Sequence, residues 1–404
     1  MNDVNEKRLT LHYTFIQISF WIHVCFVNGF VAYYLSDNGY NSFQTGLVIG
    51  IANLLSLFIQ PYVASFADHS LKLRIKHIIA INTSVSILFA LATHLISNRC
   101  GLFLVFYTCL LLSIAIQVPL LNSLSTEHIT RGTKLNYSIA RGFGSIAFAG
   151  TSIVFGMLAE KFGASITMPY YISSSLVYLI MVLTFKAPKK FVTMESNTSK
   201  DIINFVMRNK RFMMTTFALF LVYYSPSLIS SYLFHVVVRV GGDASNLGIA
   251  LGLSAALELV SMVLYPFAKK RLGGNARILI ITSFMFFVKI FCTYSAKTLY
   301  GLYFAQSLQL LSFGFYIPAQ VYYVSNVIPA EDQVKGQMFM SMSGTLAVVV
   351  SSFFGGYLLN KFGMNVTLMS GILLNIIGFL LLLFVIEKEP SDKSNGINAL
   401  QNSN

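Results

Sequence analysis

Gly156-Met157-Leu158-Ala159-Glu160-Lys161-Phe162-Gly163 returns further along the chain as Gly356-Tyr357-Leu358-Leu359-Asn360-Lys361-Phe362-Gly363, and Gly144 is matched by Gly344 at the same offset. Each copy closes an apolar run of membrane length. The two runs therefore hold equivalent places in two halves that run in the same sense, as expected for halves related by an axis along the membrane normal. A weaker echo pairs Pro61, ahead of the charged loop at Asp68, with Pro266, ahead of Lys269-Lys270-Arg271-Leu272-Gly273-Gly274.

Apolar runs lie at about 11–35, 43–67, 78–96, 102–124, 137–163, 166–185, 212–238, 247–268, 278–294, 299–328, 338–359 and 366–386. They are spans one to twelve, and the repeat falls on spans five and eleven. Of 404 residues, 55% are hydrophobic and 11% charged, and the mean hydropathy is +0.67; a soluble domain carries about 25% charged residues. Runs of about 20 residues cross hydrocarbon as helices, whereas a sheet-based pore would show short alternating segments. The predicted fold is an all-α membrane protein with twelve transmembrane helices in two six-helix parallel repeats around a central cavity. Residues 1–188 form the N-terminal half, 189–211 a cytoplasmic linker rich in both charge signs, 212–387 the C-terminal half, and 388–404 a polar tail predicted to be disordered.

The net charge is +13, and of the 28 Lys and Arg only Arg99, Lys161, Arg239, Lys297 and Lys361 fall in loops on one side. Nearly all the others sit in the alternate loops. The positive-inside rule places both termini in the cytoplasm, in a multi-pass protein of the cell membrane, and the charge reads as orientation rather than nucleic-acid binding. Cys25, Cys100, Cys109 and Cys292 lie in or at the ends of apolar runs without paired spacing, which suggests neither a disulfide framework nor a metal site. No removable signal peptide is predicted. With no phosphate-cradling glycine loop and no nucleophile–base pair, an enzyme or an ATP-driven pump is not expected. Coupling to an ion gradient, or facilitated diffusion, is.

Ala67-Asp68 followed by Lys72, Arg74 and Lys76 resembles the signature loop of the major facilitator superfamily, and the resemblance covers nearly the whole chain. Thr45-Gly46 with Leu55-Ser56-Leu57-Phe58-Ile59-Gln60-Pro61 looks like the lactose permease branch, the oligosaccharide:proton symporters and their relatives. The resemblance implies a cavity lined by spans one, four, seven and ten with neighbours two, five, eight and eleven. Asp68 and Arg74 would belong to a conformational loop. Arg141-Gly142-Phe143-Gly144 sits where that branch has its sugar-binding arginine, and Phe148 where an aromatic stacks on the sugar. The acidic partner of the arginine falls on Ser123. The span-eight glutamate falls on Ala255, three residues before Glu258 and on the same helical face. Lys289 matches the span-nine arginine, whereas the lysine, histidine and glutamate of proton coupling fall on Gln306, Gln309 and Ser312.

Glu258 stands near the middle of span eight, where a charge costs about 2.5–3.5 kcal/mol on insertion scales and so needs a cavity or a partner. One reading is a protonation switch, because burial and a nearby cation act in opposite senses on a carboxylate's proton affinity and alternating access changes both. The other is a permanent ion pair with Lys289. Arg141 reads either as a bidentate anchor for a substrate hydroxyl, carboxylate or phosphate or as a helix-end arginine meeting headgroups. Asn28, Gln117, Asn122, Gln306 and Gln309 offer neutral donors and acceptors suited to sugars. Each alone is equally explained by an interhelical hydrogen bond worth about 0.6 kcal/mol. The expected function is proton-coupled import of a sugar or similar hydroxyl-rich molecule by a monomer without a cofactor. Arg141, Phe148, Asn122, Gln117, Asn28, Gln306 and Gln309 are its expected substrate contacts, and Glu258 and Lys289 its coupling residues. Efflux of drugs or cations, and a non-transporting sensor, are the rival readings.

Overall fold

Ten helices are long and apolar enough to cross a membrane, and one of them, the 53-residue helix Gln333–Val385, turns at Gly363 (φ 81°, ψ 177°) and supplies both spans eleven and twelve. The protein is described by a computed structural model over residues 2–69, 73–96, 100–129, 135–186 and 199–387. Span ten is broken into Leu299–Ser307, a 3-10 turn Leu308–Leu310 and Phe313–Val327. Span one also changes character midway, from Asn2–Val24 through a π-helical turn Cys25–Gly29 to Val31–Asp37. The others are Ser42–His69, Ile75–Leu95, Gly101–Ile129, Tyr137–Phe162 and Thr167–Thr184 in the first half, with Lys210–Arg239, Ala244–Leu272 and Asn275–Ser295 in the second. The fold is the twelve-helix, two-repeat arrangement.

The repeat has a local cause. Gly163 (φ 77°, ψ 179°) and Gly363 occupy a backbone region open essentially to glycine alone, and each turns the chain from an upward span into its returning neighbour. The preceding glycines repeat a contact. A β-carbon on Gly156 would stand 2.7 Å from Ala244 O and 2.9 Å from Gly248 Cα; one on Gly356 would stand 2.7 Å from Ser42 O and 3.2 Å from Gly46 Cα. Span five thus meets span eight, and span eleven meets span two, at backbone distance through paired small residues. These contacts cross between the halves at the end of the bundle away from the termini.

At that far end one hydrophobic core runs across both halves, whereas the C-terminal half has a separate core around Phe212, Tyr323 and Val385 at the end that carries the termini. Among the described residues, both hydrogen bonds that join the halves end on His235 Nε2, at 3.4 Å from Ser36 Oγ and 3.3 Å from Ser42 Oγ, also at the far end. These glycine and histidine contacts hold the halves together at the far end.

Prolines inside spans free carbonyls that other spans recover. Pro119 cannot donate to Ala115 O, and Gln60 Nε2 of span two does so at 3.0 Å. Pro226 likewise frees Val222 O, which accepts from Asn375 Nδ2 at 3.1 Å. Without water, each unmet carbonyl in hydrocarbon costs several kcal/mol, so these amides are structural. In the linker, helix Ser199–Arg208 is tied to the second half: Phe205 is buried and stacks on Phe339 at 5.6 Å, and Arg208 pairs with Asp332, which also receives Lys335 Nζ at 3.0 Å. Residues 70–72 of the charged loop, 187–198 of the linker and the tail from 388 lie outside the described residues.

Candidate functional site

Between the halves lies a cavity of about 360 Å³, with walls from spans one, five, seven, eight, nine, ten and eleven. Arg141, Phe148, Glu258, Lys289, Gln306 and Gln309 line it together. Ala255, one turn before Glu258, lines it too.

Span ten shapes one wall by breaking. Its 3-10 turn leaves Leu310 O without a helical donor, and Ser261 Oγ of span eight supplies one at 2.6 Å. The break places Gln306 and Gln309 on the cavity. Gln306 Oε1 accepts from Ser254 Oγ at 3.1 Å, while its buried Nε2 has no partner among the described residues. Lys289 is only 4% exposed, and its Nζ donates to Gln309 Oε1 at 2.5 Å. Discontinuous spans of this kind commonly frame transporter sites, because irregular backbone is tolerated where it lines a cavity.

The opposite wall is built on span one. Tyr13, Gln17 and Trp21 stand at helical four-residue spacing and form a chain: Trp21 Nε1 donates to Gln17 Oε1 (3.1 Å), Gln17 Nε2 to Tyr13 OH (2.8 Å), and Tyr13 OH to Leu121 O (3.0 Å). Above the fixed indole lies the Arg141 guanidinium, its carbon 4.1 Å from the ring centroid, with Nη1 donating to Ser145 Oγ at 2.9 Å. A cation over a ring is worth about 0.5 kcal/mol when exposed and about 2 when desolvated. The backbone at Gly144 abuts Trp21 so closely that any β-carbon there would overlap the indole. The repeat recurs here, since its counterpart Gly344 faces Tyr223 of span seven, which also lines the cavity.

Glu258 is half-buried and lies within electrostatic range of both Arg141 and Lys289. It forms a closed ion pair with neither, among the described residues. The cavity thus holds two cations, each held by neutral neighbours, and one carboxylate.

Three expected contacts lie away from this cavity. Gln117 is fully buried, with neither amide atom partnered among the described residues. Asn122 Oδ1 accepts from Tyr137 OH at 3.0 Å, and Asn28 is exposed in the π-helical turn of span one. Asp68 stands in the last turn of span two and Arg74 caps the start of span three. Residues not expected at the site but lining it include Ser145, Ser227, Ser230, Ser254 and Trp21. The four-residue spacing of Tyr13, Gln17 and Trp21 is the sequence signal for the last.

A family model described as the MFS_1 like family matches residues 18–357. The chain belongs to the MFS_1 like family. Among curated relatives of this MFS_1-like protein, "Uncharacterized transporter YwbF" of Bacillus subtilis (strain 168) is 24% identical over 356 residues, covering 86% of each chain. "Maltose permease" of Geobacillus stearothermophilus is 21% identical over 349 residues, covering 85% of this chain and 86% of that one. Among solved structures, nucleoside transporter NupG superposes with a TM-score of 0.73 at 15% identity, over 93% of this chain and 97% of that one. A D-xylose-proton symporter superposes with a TM-score of 0.69 at 12% identity, over 95% and 98%. The protein is a multi-pass membrane secondary transporter of the major facilitator superfamily.

Proposed function

We propose that this transporter imports a hydroxyl-rich ring compound of the sugar or nucleoside kind together with a proton. The single observation that supports this best is Glu258, set in the cavity between two cations and locked to neither. A carboxylate in that position gains or loses a proton as the surrounding charges move relative to it, which ties protonation to the facing of the cavity. Arg141, Gln306 with its unpaired amide nitrogen, Gln309 and the serines of spans seven and eight supply hydrogen bonds to hydroxyls, and Phe148 supplies an apolar face. The relatives named for maltose, xylose and nucleosides are consistent with such substrates.

In this reading the end carrying the termini is cytoplasmic, following the distribution of Lys and Arg, so the cavity opens inward while the glycine contacts seal the outer end. The protein works as a monomer, since one chain supplies every cavity wall, and it uses the proton as coupling ion without a cofactor. Efflux of cations is disfavoured, because Arg141 and Lys289 oppose a positive substrate beside Glu258. A second reading, import of an acid, draws on the excess of cations over carboxylates in the cavity.

A thermal-shift screen of the purified protein against maltose, xylose, uridine, glucuronate and benzoate tests both, because a ligand that binds only the folded state raises its melting temperature. Stabilisation by a neutral member supports the first reading, and stabilisation by the acids alone supports the second. Stabilisation by none at millimolar concentration contradicts both.

A further inference from the structure

We propose that Trp21 is the positioning residue of Arg141, holding the guanidinium by the face of its ring where a carboxylate would otherwise pair with it. Four observations support this. The guanidinium carbon lies 4.1 Å from the Trp21 centroid, and its one side-chain hydrogen bond goes to the neutral Ser145. No acidic side chain closes on Arg141 among the described residues; the carboxylate that acts on it, Glu258, does so across the cavity. Trp21 is itself fixed, through Gln17 and Tyr13, to the backbone of Leu121 in span four. Gly144, one turn from Arg141 on span five, is bare so that the indole can seat against it.

The two supports differ in what they leave for substrate. A carboxylate partner neutralises an arginine and takes two of its five donors. A ring face takes none and leaves the charge in place. Arg141 is thus oriented by Trp21 and by Ser145 while its remaining N–H groups stay free for an acceptor in the cavity. Tyr13 and Tyr137 are the other titratable groups acting on it.

Trp21 is the sole tryptophan of the chain, so its emission reads the contact directly and requires no ligand. In the purified full-length protein, Arg141→Gln shifts the emission maximum and increases quenching by acrylamide. Lys289→Gln, which removes the other cation of the cavity, leaves both unchanged. Arg141→Lys, whose ammonium cannot lie flat on the ring, gives the same shift if the glutamine variant fails to fold. Superimposable spectra for wild type and a folded Arg141 variant overturn the proposal, as does an equal shift from Lys289→Gln.

A second arm rests on Arg141 meeting substrate, as proposed above, and uses whichever of maltose, xylose, uridine, glucuronate or benzoate stabilises the wild type. Trp21→Phe retains binding, Trp21→Leu loses it to the extent that Arg141→Lys does, and the double variant loses no more than either. Additive losses would show Trp21 acting on its own account. Failure of every ligand refutes the functional reading and leaves the spectral test standing.

Discussion

At the residue scale, the proposed function rests on three charged groups of the cavity, and the two cations among them have neutral neighbours. Arg141 meets Ser145 and a ring face, Lys289 meets Gln309, and Glu258 is tied to neither cation. Replacing Arg141 by Lys keeps the charge and removes the planar fork. Hydrogen bonds to charged groups are worth about 1.5–3 kcal/mol, so ligand affinity falls by about tenfold or more; wild-type affinity in a titrated thermal-shift series would contradict this. Gly144→Ala inserts a methyl group into the seat of Trp21 and shifts the tryptophan emission in the same assay. Glu258 and Arg141 were legible as anomalies, because a charge in an apolar run demands a reason. The uncharged amides were not separable in the same way. Gln60 and Asn375 turn out to serve carbonyls freed by prolines, while Gln306 and Gln309 face the cavity. Nothing in residue type distinguishes the two duties, since an amide serves either equally well.

At the element scale, most spans were readable from apolar length, but the breaks were not. Span ten reads as one run over 299–328 and is broken at Leu308–Leu310, with Ser261 of another span meeting the carbonyl that the break frees. That compensation is tertiary, so no local pattern announces it. Asn375→Leu removes the shared donor to Val222 O and Ser225 Oγ and leaves Val222 O only the 3.2 Å bond from Ser225 Oγ. Losing a buried hydrogen bond costs about 0.5–1.5 kcal/mol, which a lowered melting temperature in detergent will register; an unchanged one argues against the structural role. The glycine contacts make a sharper prediction. Gly248 lies against Gly156 and the backbone of Ser152, and Gly248→Leu overpacks the seam by about 1–3 kcal/mol. The equilibrium shifts toward the state open at the far end by about tenfold to a hundredfold. In a cysteine-free background, Ser231→Cys on the cavity wall then reacts faster with an impermeant thiol reagent added from outside. No change in rate would show that the glycines do not form the outer seal.

At the scale of the whole molecule, the repeat around Gly156 and Gly356 contained more than a span count. The same glycine ends the upward span in both halves at positive φ, the same small-residue contact joins the halves twice, and Gly144 and Gly344 each face a cavity aromatic, Trp21 in overlap range and Tyr223 at ordinary contact distance. Two-fold construction is what lets the halves rock about a site between them, closing one end as the other opens. The proposed coupling rests on the charges inside that site rather than on the architecture, and Glu258 is the single carboxylate lining it. The most direct measurement is uptake of a ligand from the screen into liposomes, with the exterior made acidic, by wild type and by Glu258→Gln. The account predicts accumulation above the external concentration by wild type, and by the variant only exchange of internal for external ligand at close to the wild-type rate. Equal gradient-driven accumulation by both proteins would contradict it.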